Sequence, residues 1–235
     1  ISHNKFIVKL ENKKPIAVLT GGTNFSEGGI FGHSNVAHVV EIPKVADLYL
    51  KYWNLLKDDL PMAEMKKEVE TLSPLPTAFN KGTKVIFSPR RNMDALDFYA
   101  AEAMKAKGAL FMTFAFGMND LFKDVYLKSK ATLRIALMEK AALKRTDIAE
   151  LKKIQALRNM PENVFAIGNF IKTNEFDGWL EESLSGLNRN VRYVHNKFML
   201  IDPLSDDPIV IGGSANFSKA STINNDENML IVRRN

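Results

Sequence analysis

His195 and Lys197 stand two positions apart in the run Val194-His195-Asn196-Lys197-Phe198-Met199-Leu200-Ile201-Asp202. On an extended strand that spacing sends an imidazole and an ammonium out of the same face. A second apolar run, Ile211 to Ser218, adds the Ser214 hydroxyl and the Asn216 carboxamide, and the Pro203 to Pro208 stretch between the runs reads as a tight turn joining neighbouring strands. Such a set suits a phosphate group, whose transfer asks for a nucleophile, a proton donor and fixed positive charge around the equatorial oxygens.

A diluted copy of the same pattern opens the chain. His3-Asn4-Lys5-Phe6-Ile7-Val8 repeats His195 to Leu200, and Gly21-Gly22-Thr23-Asn24-Phe25-Ser26 repeats Gly213 to Ser218; His3 to Asn24 and His195 to Asn216 are both twenty-one positions. A lone His-x-Lys is weak evidence, whereas two copies in one register are strong. On these residues the sequence resembles the phospholipase D superfamily, whose members carry His-x-Lys-x4-Asp followed by Gly-Ser-x-x-Asn, usually twice. His195, Lys197, Asp202, Gly213, Ser214 and Asn216 match that pattern in full. The first copy keeps His3, Lys5, Gly21 and Asn24 but has Leu10 where the Asp belongs and Gly22 in place of the Ser.

The resemblance implies a metal-independent phosphodiesterase with no cofactor, in which two copies of the motif meet across a pseudo-two-fold axis. One histidine attacks phosphorus to give a phosphohistidine, and the other protonates the leaving alcohol and then activates water. Glu227 lies thirty-two positions beyond His195, and Asn35 thirty-two beyond His3. In relatives the side chain at this position reaches across to the opposite copy's histidine, so the expectation is that Glu227 orients His3 and Asn35 orients His195. A carboxylate supports positive charge on a phosphorylated imidazole better than a carboxamide does, which points to His3 as nucleophile and His195 as acid and then base. Lys5, Lys197, Asn24 and Asn216 are expected on the phosphate oxygens, with Ser214 in support, while Asp202 and Gly213 serve the local structure.

Composition bounds the reading without choosing a substrate. With 235 residues, 46% apolar, the chain can bury one large core or two modest ones. A net charge of +5 is compatible with a phosphorylated substrate, an anionic lipid surface or nucleic acid, and selects none. The absence of cysteine excludes disulfides, thiolate metal sites and a cysteine nucleophile. No stretch approaches the ~20 apolar residues of a membrane-spanning helix, so no transmembrane segment is expected, though a peripheral membrane contact stays open. With Ile1 first and the motif starting at His3, the sequence reads as a fragment or processed form, which leaves secretion open and the compartment unassigned.

The elements that must position these residues follow from pattern. Residues 5–8 and 16–20 read as strands, 24–30 as an irregular loop, and 36–40 as a strand near which His38 could face the site. From Pro43 the stripe Val45, Leu48, Tyr49, Tyr52, Leu55 and Leu56 predicts a helix, with Trp53 in its core; 62–72 predicts a short exposed helix. Strands at 84–89, 109–116, 132–138, 164–168 and 226–232 alternate with helices at 93–107, 119–127 and 148–157, the last capped by Thr146-Asp147 and stopped by Pro161. Residues 174–190 read as an insertion or edge segment. The result is an α/β fold of mixed β-sheets flanked by helices, in two pseudo-two-fold-related halves. Residues 1–72 form the C-terminal part of a first phospholipase D-like half, 73–82 a linker around Ser73-Pro74-Leu75-Pro76-Thr77, and 83–235 the second half. Nothing ahead of the first motif corresponds to residues 83–190, so the first half is expected to be incomplete.

Three functions fit. The leading one is a phospholipase D-type hydrolase of a phospholipid or related head-group ester. A nuclease or nucleic-acid-end phosphodiesterase would want a basic groove and stacking aromatics, for which Ser88-Pro89-Arg90-Arg91 is the one local basic hint. The third is an inactive binding module derived from such an enzyme.

Overall fold

The computed structural model describes residues 2–140, 146–167 and 194–234. The chain begins with an antiparallel sheet of β1 (Phe6–Glu11), β2 (Lys14–Gly21) and β3 (Ala37–Val40), in that order, with a wide helical turn at Gly28–Gly32 ahead of β3. Helices α1 (Pro43–Lys57) and α2 (Met62–Leu72) follow. Next come β4 (Gly82–Ser88), α3 (Asp94–Met104), β5 (Ala109–Phe114), α4 (Asp120–Lys128), β6 (Leu133–Met138), α5 (Ile148–Arg158) and β7 (Asn163–Ile167). The chain closes with β8 (Phe198–Ile201), β9 (Ile209–Gly213), α6 (Lys219–Ile223) and β10 (Glu227–Arg233). Strands β4 to β10 form a second, mixed sheet of seven, ordered β4-β10-β9-β8-β5-β6-β7. The expected insertion at 174–190 lies outside the described residues.

Local chemistry explains the layout. The apolar run 109–114 becomes a central strand, parallel to β6 and antiparallel to β8, with Leu110, Met112 and Phe114 buried. Pro43 starts α1 at a position where its missing N–H costs nothing. Asn119 caps α4 by accepting from the Leu121 N–H at 3.0 Å, and Asp147 caps α5 by accepting from the Glu150 N–H at 3.0 Å.

The strand pairings around the two motifs correspond position for position. Phe6 faces Thr20 and Phe198 faces Gly212; Val8 faces Val18 and Leu200 faces Val210; Gly21 faces Ala37 and Gly213 faces Met229. Gly21 and Gly213 are glycine because the next strand passes too close for a side chain. A Cβ would meet the Val36 carbonyl oxygen at 2.2 Å in the first case and the Asn228 carbonyl oxygen at 2.1 Å in the second. The two triplets differ in their cover: Met199, Ile211 and Ile231 are buried in the main core, whereas Ile7 and Val39 in the first triplet are more than half exposed.

Helix α1 joins the two sheets. Tyr49 and Tyr52 are fully buried, Tyr52 stacks on Phe87 of β4 at 4.1 Å between ring centres, and Val18, Val85 and Leu230 complete this second core. Trp53 corrects the sequence expectation: it is 48% exposed, one position past Tyr52 and so turned away from the buried stripe, with the Lys57 ammonium 5.9 Å over its ring. Helix α2 also departs from the expected exposed helix, since Met65 and Val69 are buried against α1 and β4. The expected linker begins on a buried anchor: the Ser73 hydroxyl donates to the Val69 carbonyl at 3.1 Å and accepts from the Phe87 N–H at 3.0 Å.

Asp202 sits past the end of β8 in the left-handed region, φ 47°. Its carboxylate accepts from the backbone N–H groups of Lys107, Gly108 and Ala109, at 2.7 Å for Gly108, fixing the start of β5. Replacing Asp202 by Ala removes these charge-assisted bonds at a partly solvated position. The expected loss is about 1–2 kcal/mol of unfolding free energy, read by urea denaturation, with anion affinity at the site unchanged.

Candidate active site

His3 and His195 come from the two ends of the sequence and meet with ring centres 6.4 Å apart, edge to face. Each is held by the other triplet. The Nδ1–H of His3 donates to Oε2 of Glu227 at 2.9 Å, and the His3 backbone N–H donates to the Asp226 carbonyl at 3.2 Å. The Nδ1–H of His195 donates to Oδ1 of Asn35 at 2.9 Å, and its backbone N–H to the Ser34 carbonyl at 3.3 Å. A carboxylate and a carboxamide oxygen only accept, so in both rings Nδ1 carries the proton and Nε2 is the nitrogen left for chemistry. The Asn35 amide cannot turn over without loss, because its Nδ2 donates to the Gly29 carbonyl at 2.7 Å.

The ammonium groups of Lys5 and Lys197 are buried, and each donates to the carbonyl of the histidine two residues before it. Burial lowers the Lys5 pKa to about 8, with the Glu227 charge partly opposing. Lys197 is held well below the ordinary lysine range, first by burial and then by the charge of Lys5. His195 lies far below the usual imidazole range, again chiefly through burial, with Lys197, His33, Lys5 and His3 adding to it.

The other expected site residues occupy different surroundings. Asn216 is half-buried, and its Oδ1 has no hydrogen-bond partner among the described residues; it borders a 250 Å³ cavity that Phe116 and Phe217 also line. Asn24 is half-buried at the start of the loop, its backbone closing over Gly29. Ser214 is fully buried and turned inward, its hydroxyl oxygen accepting from the Asn228 backbone N–H at 3.0 Å. Asp202 lies away from the imidazoles, at the start of β5. Gly22 fills the gap where a serine would stand: a Cβ there would lie 3.2 Å from the Gly213 carbonyl oxygen and 3.5 Å from Cδ of Lys197. His38 packs toward the Gly212 backbone, and the histidine beside His195 is His33, with ring centres 5.1 Å apart.

Several positioning groups carry no signal in the sequence. Asn228 is buried between the sheets, where its Oδ1 accepts from Thr20 at 2.7 Å and Tyr49 at 3.0 Å, and its Nδ2 donates to Asn4 at 2.8 Å. Thr113 donates to the Asn196 carbonyl at 2.6 Å and accepts from the Phe198 N–H at 3.1 Å, tying β8 to β5. The buried Glu139 carboxylate accepts from the Val194 N–H at 2.9 Å, just ahead of His195. A motif scan finds His-x-Lys but not these contacts, which tertiary packing alone creates.

The family model described as "Cardiolipin synthase, PLD-like domain" matches residues 111–235, more than half of the chain, and the chain belongs to this phospholipase D-like family. Among solved structures, the polyphosphate kinase of Porphyromonas gingivalis is similar over 98% of this chain, at 11% identity and a TM-score of 0.56, and this chain spans 30% of that one. NucT from Helicobacter pylori is similar at 18% identity and a TM-score of 0.44, over 64% of this chain and 84% of its own. Nuc from Salmonella typhimurium, a phospholipase D family member, is similar at 18% identity and 0.42, over 64% and 82%. At 11% identity the likeness to the polyphosphate kinase is one of fold. No curated protein matches the chain in sequence.

Two measurements probe the site. Because Lys5 titrates lower in the fold than its ordinary 10.5, the unfolded chain binds more protons between about pH 8 and 10.5, and stability rises with pH across that window. Lys197 acts in the same direction. Lys5→Met is therefore expected to be more stable than the parent at pH 7, with a smaller advantage near pH 10.5, in urea unfolding at a series of pH values. Asn228→Ala strands the hydroxyls of Thr20 and Tyr49 and the Asn4 amide, and is expected to lower stability by about 3 kcal/mol in the same assay.

Proposed function

We propose that this chain hydrolyses phosphodiesters, without a metal, through a phosphohistidine intermediate, and that its substrate is a phospholipid or a related head-group ester. The observation that carries the reading is the pair of imidazoles 6.4 Å apart, each with its Nδ1 engaged and no hydrogen bond to its Nε2 among the described residues, beside two buried ammonium groups. In the first step the Nε2 lone pair of His3 forms a bond to phosphorus while the bond from phosphorus to the leaving oxygen breaks. His195 gives its Nε2 proton to that oxygen. In the second step His195 takes a proton from water, the water oxygen bonds to phosphorus, and the bond from phosphorus to nitrogen breaks.

Glu227 offsets the positive charge that grows on His3 as the phosphorus–nitrogen bond forms, which Asn35 could not do for His195. In the free protein His195 holds a proton poorly. A bound phosphodiester anion offsets the two lysines and lets His195 carry a proton, and the same surroundings then make it a strong acid. Lys5 and Lys197 bind the equatorial oxygens, joined by Asn24 and Asn216, and Ser214 acts through Asn228.

Two features favour lipid over nucleic acid. The matching family model is described by a lipid enzyme's name. The loop that carries Asn24 and leads to Asn35 exposes Phe25, Ile30 and Phe31 and contains Glu27 but no Lys or Arg. Nucleic-acid binding draws its affinity from cations on phosphates, while an apolar loop at a site mouth suits a lipid interface.

The test offers phosphatidylcholine vesicles, labelled DNA and bis(p-nitrophenyl) phosphate side by side in excess chelator. Turnover of the lipid and the small diester is expected, with His3→Ala and His195→Ala each losing at least about a thousandfold. Turnover of DNA alone overturns the substrate assignment, loss of all turnover on chelation overturns the mechanism, and no turnover of any diester leaves only a binding module. A covalent phosphoryl adduct trapped by alkaline denaturing quench and mapped to His195 rather than His3 reverses the two roles.

A further inference from the structure

The three consecutive residues His33, Ser34 and Asn35 all address His195: the first with its ring, the second with its carbonyl, the third with its carboxamide. The matching residues across the axis, Asn225, Asp226 and Glu227, serve His3 with a different chemistry. There the Asn225 amide donates to Oε1 of Glu227 at 3.2 Å, so the first residue supports the carboxylate that holds the imidazole. One histidine thus rests on a triplet with two carboxylates, and the other on a triplet with an imidazole and none.

We propose that His33 is a positioning residue for His195, fixing the plane of its ring and, whenever it carries a proton, disfavouring one on the imidazole beside it. The two ring planes are tilted by 30° to one another, with centres 5.1 Å apart. That contact braces the ring about the one axis that the bond to Asn35 leaves free. A positive charge on one ring this close disfavours a proton on the other, and burial and Lys197 act on His195 in the same direction. The other ionisable groups facing His195 are Lys197 on its own segment ahead of β8 and Lys5 and His3 from the N-terminal segment. The Glu139 carboxylate from the end of β6 is engaged with the Val194 N–H beside it. The cationic neighbours are shared by any variant at position 33, so a change made there reports on His33 itself.

The inference rests on His195 being part of a phosphoryl-transfer site, but its test does not need turnover. The protein has four histidines, so their ring nitrogens can be followed and assigned by nitrogen-15 NMR on the full chain. In His33→Phe, which keeps an aromatic ring and loses the charge, the His195 titration is expected to move up by roughly half a pH unit or more. Its Nδ1 proton should still show the bond to Asn35. In His33→Asn the same upward move is expected together with loss of that slowly exchanging Nδ1 proton, and a lower kcat on the small diester with an unchanged KM. An unmoved His195 titration in both variants overturns the electrostatic role, and an Nδ1 proton equally protected in His33→Asn overturns the positioning role. A chain with no turnover on any diester would sink the proposed activity while leaving both NMR outcomes readable.

Discussion

Two ammonium groups buried side by side, with no carboxylate in ion-pair contact among the described residues, are the constraint on which this structure turns. Taking such charges out of water is unfavourable, and hydrogen bonds to the His3 and His195 carbonyls offset only part of it. What remains is a standing demand for an anion at one place in the fold. Binding of an anion such as the proposed phosphodiester would offset that cost, so the feature that weakens the free protein would favour the bound one.

A site of this kind holds only if the backbone cannot relax away from the strain, and the packing around it supplies that stiffness. Asn228 ties β10 to β2, to α1 and to the N-terminal segment through one side chain. Thr113 and Glu139 do the same for the segment that leads through His195 into β8. Each imidazole is bonded to the far triplet by both its backbone and its ring, so neither half of the site is complete alone. Removing either triplet would free the opposite histidine.

The parts of the fold that depend on local pattern were legible beforehand: the unbroken apolar strand β5 and the Pro43 start of α1. His195 and Lys197, which pattern places within a strand, stand instead just ahead of β8, whose first residue is Phe198. Trp53 was misjudged because an apolar residue next to a buried stripe looks like part of it, while a helix turns by 100° per residue and carries it into solvent. The candidate site was legible as a set of residue types at matched spacing. Its supporting contacts were not, since Thr20 and Asn228 are separated by 208 positions and nothing in either neighbourhood announces the other. His33 was passed over for His38 because alternation along a strand can be read from sequence, whereas the course of a loop cannot.

Gly22 carries a further consequence. The family pattern has a serine at this place, and here the Gly213 carbonyl and the Lys197 side chain have closed in on the position. A hydroxymethyl group restored there would have to push back a backbone that has settled into its place. A side chain at this position needs the Gly213 carbonyl to give by a few tenths of an ångström, so residue 22 gauges how far the two motif segments can part.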